Sequence, residues 1–130
     1  MNASFYFVQL TVHDLDISVA WYREVMGMRE LMREADSFAL LSASGTRLAL
    51  TQGSPSPGGV LLAFEVTDLG EWVRCFAERG GTLEGEMKTS PEGYRRARTR
   101  DADGYEVSVF EWTNGVRDTT STEAPIPSRE

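Results

Sequence analysis

In residues 5–12, Tyr6, Val8, Leu10 and Val12 alternate with Phe5, Phe7, Gln9 and Thr11. A period of two predicts a strand with two distinct faces. At His13-Asp14 the period changes to three and four residues, through Ile17, Ala20, Trp21, Glu24 and Val25, and stops at Gly27. That predicts a helix covering the Val8, Leu10 and Val12 face, with Asp14 and Asp16 both candidates for its N-cap. Short strands follow at 31–34, 38–42 and 46–50, the last two joined by a Ser44-Gly45 turn. Residues 53–59, GSPSPGG, break the pattern as a linker.

Beyond the linker the plan repeats. Val66, Asp68 and Leu69 stand at the spacing of Val12, Asp14 and Leu15. Cys75-Phe76 falls where Trp21-Tyr22 does, and Gly81 where Gly27 does. A strand is predicted at 60–66, then a helix with Leu69, Trp72, Val73, Phe76 and Ala77 on one face and Gly80-Gly81 at its end. Trp21, Trp72 and Phe76 are expected in the core. Strands at 83–87, 94–100 and 105–111 complete the half, with a loop at 88–93 and a tight DADG turn at Asp101–Gly104. The expected fold is α+β: paired βαβββ modules, about 4–52 and 60–112, forming one curved mixed sheet around a concave cavity. Residues 1–113 are expected to be a single domain, and 114–130 a flexible polar tail or a strap anchored by Ile126.

At 130 residues, with 41% hydrophobic and 25% charged positions, the chain is globular and of single-domain size. A formal net charge of -7 argues against nucleic acid as a partner. One cysteine, Cys75, excludes a disulfide framework within the chain. The opening MNASFYFVQL lacks the basic segment and long apolar run of a signal peptide, and no stretch has the length of a membrane span. A cytoplasmic protein with no membrane partner is expected.

The run Val12-His13-Asp14-Leu15, Ser18, Trp21-Tyr22, Gly27-Met28 resembles the opening of the vicinal-oxygen-chelate superfamily, the group of glyoxalase I, bleomycin- and fosfomycin-resistance proteins and extradiol dioxygenases. Phe64-Glu65-Val66-Thr67-Asp68-Leu69 and Asp101-Ala102-Asp103-Gly104-Tyr105 resemble the matching signals of its second half. The resemblance implies a paired-module fold over about residues 5–112, and commonly a homodimer. It also implies four metal-ligand positions, which fall at Phe7, Ala49, Leu61 and Ser108. Phenylalanine, alanine and leucine offer no donor, so no metal and no cofactor is expected.

Function must then come from other residues on the expected concave face. Glu65 and Glu106 are candidate general acid–base groups, or anchors for a cationic ligand; a structural network with Gln9, Arg47 or Arg96 explains them equally well. Phe5, Phe7, Phe38 and Phe110 are expected to line an apolar groove, with Gln9, Ala49, Leu61 and Ser108 beside them and Trp112 at a mouth or interface. Arg96 and Arg98 are candidates to clamp a ligand carboxylate or phosphate, whereas Arg95 and Arg100 read as solvated. The leading reading is a metal-independent protein that binds or sequesters a partly aromatic small organic molecule. The alternative is a metal-independent isomerase, lyase or hydrolase using Glu65 or Glu106. A third is a structural partner protein whose cavity is filled by its own side chains.

Overall fold

The structure, a computed structural model, describes residues 3–113; the expected tail at 114–130 lies outside the described residues. The chain forms two compact units. One runs through Gly58 and also takes in Asp101–Gly104; the other comprises Gly59–Arg100 and the residues from Tyr105.

In the first unit, β1 (Val8–Val12), α1 (Leu15–Glu24), β2 (Arg29–Glu34), β3 (Phe38–Ala43) and β4 (Thr46–Gln52) build a four-stranded mixed sheet in the order β1-β4-β3-β2. β1 runs parallel to β4, and the remaining pairs are antiparallel. Asp14 is the N-cap of α1. Its extended backbone, at φ -130, lets the carboxylate accept from the Ile17 N–H at 3.1 Å. Asp16 sits in the first turn and instead pairs with Arg33 at 2.8 Å. The Ser44-Gly45 turn holds two consecutive left-handed residues, φ 51 and 87, the backbone that a tight two-residue hairpin requires.

The second unit repeats the plan. β5 (Leu61–Glu65), α2 (Leu69–Glu78), β6 (Lys88–Ser90), β7 (Tyr94–Arg100) and β8 (Glu106–Trp112) form a sheet in the order β5-β8-β7-β6, again with the first and last strands parallel. Asp68 caps α2 as Asp14 caps α1. The repeat extends to the next orphan amide of each helix. The Leu15 N–H donates to Gln52 Oε1, at the end of β4, and the Leu69 N–H donates to Glu111 Oε1, near the end of β8.

The paired modules form as expected, each with its own four-stranded sheet. Several other expectations change. The buried residues of α1 are Leu15, Ser18, Val19 and Tyr22, whereas Ile17 is 56% exposed and Trp21 is only half-buried. Trp72 is likewise half-buried, stacked on the buried Phe76 at 4.8 Å, and Ala77 is exposed. No strand forms at 83–87, because Gly85 at φ 75 breaks the extended backbone. The second strand of the half is instead β6, in the stretch expected to be a loop, joined to β7 through a turn with Gly93 at φ 98.

Asp101–Gly104 packs within the first unit. Tyr22 Oη donates to Asp101 Oδ2 at 2.6 Å, with both residues buried. Asp103 accepts from the His13 backbone N–H and from Ser18 Oγ, each at 3.0 Å. The hydroxyls of Ser18 and Tyr22 on the buried face of α1 therefore have partners.

Candidate functional site

The second sheet has two unlike faces, set by strand alternation. One carries Ala97, Thr99, Val107 and Val109, all buried, and packs against α2. Arg95 and Glu111 extend this face, paired at 3.3 Å. The opposite face is the candidate site.

That face carries Tyr94, Arg96 and Arg98 of β7 and Glu106, Ser108, Phe110 and Trp112 of β8. The register sets Tyr94 opposite Trp112, Arg96 opposite Phe110, and Arg98 opposite Ser108. At one end the three rings form a corner of edge-to-face contacts. Tyr94 lies 6.1 Å from both Phe110 and Trp112, and Phe110 lies 5.5 Å from Trp112. At the other end Glu106 accepts from Arg98 Nη1 at 3.2 Å. Arg96, on the strand beside Phe110, is only 5% exposed. A guanidinium so buried is uncommon, because its charge must be compensated where water is scarce.

Two atoms on this face stand out. Ser108 is fully buried and its Oγ has no hydrogen-bond partner. Trp112 Nε1 is also buried without a partner. Each such group costs about 1–3 kcal/mol relative to a satisfied one, so native proteins carry few of them.

The two candidate carboxylates do not form a pair. Glu106 lies opposite Leu61, and Glu65 lies opposite Phe110. Four residues of strand, about 13 Å between Cα atoms, separate the two levels. Glu65 is exposed on the end strand, and Glu106 is engaged by Arg98. The expected network partner of Glu106 was Gln9, Arg47 or Arg96; the ion pair that forms is with Arg98. Tyr94 also belongs to this face. It is fully buried on the site face, at the parity it shares with Arg96 and Arg98.

The first sheet places its expected residues separately. On the face away from α1, Gln9 pairs in register with Ala49, and Ala49 pairs with Leu40. Ala49 is fully buried, Gln9 is exposed, and Phe7 and Phe38 are half-buried with ring centroids 6.3 Å apart. Phe5 lines no groove, being 83% exposed. A surface depression of about 430 Å³, lined by Arg23, Glu24, Met28, Arg29 and Glu30, is edged mainly by charged side chains. It lacks the apolar walls of an organic-ligand site.

The residues at the four implied metal positions do not fit a divalent metal. Only Ser108, of Phe7, Ala49, Leu61 and Ser108, carries a side-chain oxygen, and a neutral hydroxyl is a poor ligand by itself. Among the described residues no group of three or more His, Cys, Asp or Glu is placed to hold an ion.

Solved structures share this architecture. The chain is similar to lactoylglutathione lyase from Agrobacterium tumefaciens, with 21% identity and a TM-score of 0.73 over 85% of this chain and 95% of that one. It is similar to TnmS3, an antibiotic binding protein from Streptomyces sp. CB03234, with 21% identity and a TM-score of 0.73 over 85% and 97% of the two chains. TioX from Micromonospora sp. ML1 has 24% identity and a TM-score of 0.71 over 85% and 99%. No curated protein matches the chain. Identities this low speak for the fold alone. Family membership comes from the sequence, where residues 5–109 match the family model across both βαβββ units. The chain belongs to the Glyoxalase/Bleomycin resistance protein/Dioxygenase superfamily.

Proposed function

We propose that this protein binds a small, partly aromatic organic molecule without a metal, on the face of the second sheet opposite α2. One observation carries the reading: the positions at which the family's enzymes hold a metal carry Phe7, Ala49, Leu61 and Ser108. Lewis-acid chemistry has no donors there. What remains on the second sheet is an aromatic corner of Tyr94, Phe110 and Trp112 with the buried Arg96 and Ser108 on the same face, apolar walls with polar anchors. The likeness to an antibiotic binding protein agrees with this role.

The enzyme alternative has less support. Taken singly, Glu106 is held by Arg98 and Glu65 is exposed on the end strand; as a pair, they lie at different levels of the β5–β8 ladder.

Crystals grown with 2-naphthol, a flat two-ring probe, test the reading. The expected result is probe density against Tyr94, Phe110 and Trp112. A structure in which those rings close on one another and exclude the probe at saturating concentration would leave a structural role in front.

A further inference from the structure

Resting on that reading, we propose that the site selects anionic aromatic molecules, with an aromatic carboxylate as the ligand class. Ligand polarity follows from the groups on the face. Trp112 Nε1–H can only donate a hydrogen bond, and it is buried with no acceptor. Ser108 Oγ, also buried and unpartnered, can donate as well as accept. An ammonium group brings only donors and leaves the indole N–H unsatisfied. A carboxylate brings oxygens that only accept, so it can satisfy the indole N–H.

Charge points the same way. Strand register puts Lys88, Arg96, Arg98 and Arg100 on this face, against Glu65 and Glu106. Arg98 is paired with Glu106 on this face, and Arg100 with Glu84 at 2.6 Å. Glu106 is engaged by Arg98, so the carboxylate best placed to attract a cation already has one. Arg96, the most buried of the cations, stands beside Phe110. A guanidinium next to a ring favours a ligand that lays an aromatic plane on the ring and turns an anionic group to the arginine. Ser108 and Trp112 flank Phe110 along β8, two residues to either side. That span of about 13 Å suits an extended two-ring molecule with acceptors toward both ends.

The test compares two probes of one shape and opposite charge, naphthalene-2-carboxylate and 2-naphthylmethylammonium, by calorimetric titration of the full chain at neutral pH and low salt. The carboxylate is expected to bind at least about tenfold more tightly. In Trp112→Phe, which keeps the ring and removes the N–H, the carboxylate is expected to lose about fivefold while the ammonium is unchanged. The comparison on the unaltered chain decides the matter even if the variant misfolds. Equal or tighter binding of the ammonium would overturn the inference on polarity and leave the binding function standing. Failure of both probes and of 2-naphthol would overturn the binding function as well.

Discussion

At the scale of single residues, Tyr22 shows how a polar group comes to be buried. The α1 period in the sequence points to Ile17, Trp21 and Val25, yet the face that is buried holds Ser18 and Tyr22. Both carry hydroxyls that look unsuited to a core. Their partners, Asp103 and Asp101, lie 85 and 79 residues away, so nothing local marks them. The one local hint is the repeat: Tyr22 aligns with Phe76, and both are buried. Tyr22→Phe keeps a ring that its counterpart position already accepts, and removes only the hydroxyl. Asp101 Oδ2 then loses a 2.6 Å bond inside the protein. Chemical denaturation is expected to show a loss of about 1–3 kcal/mol. An unchanged midpoint would mean that solvent replaces the hydroxyl.

At the scale of elements, the helices were legible because their signals are local. Asp14 and Asp68 cap, Leu15 and Leu69 follow as buried residues, and glycines stop both helices. β6 was not legible. Residues 83–87 alternate like a strand, but Gly85 turns the chain, and the polar Lys88–Ser90 pairs instead because β7 offers it a free edge. Glycine also sets the exit from α2. A Cβ on Gly81 would stand 2.3 Å from two ring atoms of Phe76, which is 3% exposed and stacked on Trp72. Gly81→Ala is expected to destabilise by about 1–3 kcal/mol in denaturant titrations. Gly70→Ala is the matched control. Its new methyl would meet nothing nearer than 3.6 Å, inside the first turn of the same helix. There the change is expected to be neutral or stabilising by up to about 1 kcal/mol. Equal effects at the two positions would contradict the steric account of Gly81.

At the scale of the whole molecule, the sequence carries the fold twice, and the second copy makes the first readable. Each half yields the same strand order and the same parallel pairing of its first and last strands. What the linear order hides is that Asp101–Gly104 belongs to the first unit. The site was legible in part. Parity along β7 and β8 gave Arg96, Arg98, Ser108 and Phe110 a common face, but whether a buried hydroxyl or indole N–H finds a partner depends on neighbouring strands and is invisible to alternation. Among the described residues no helix is long and apolar enough to cross a membrane.

The most direct measurement is a titration of chelator-treated protein with naphthalene-2-carboxylate, repeated after adding zinc, nickel or manganese at equimolar concentration. Metal-independent binding predicts the same saturable one-to-one isotherm, within about twofold, in every case. Binding that appears only when a metal is present would contradict it, and would mean that donors other than those at Phe7, Ala49, Leu61 and Ser108 hold the ion.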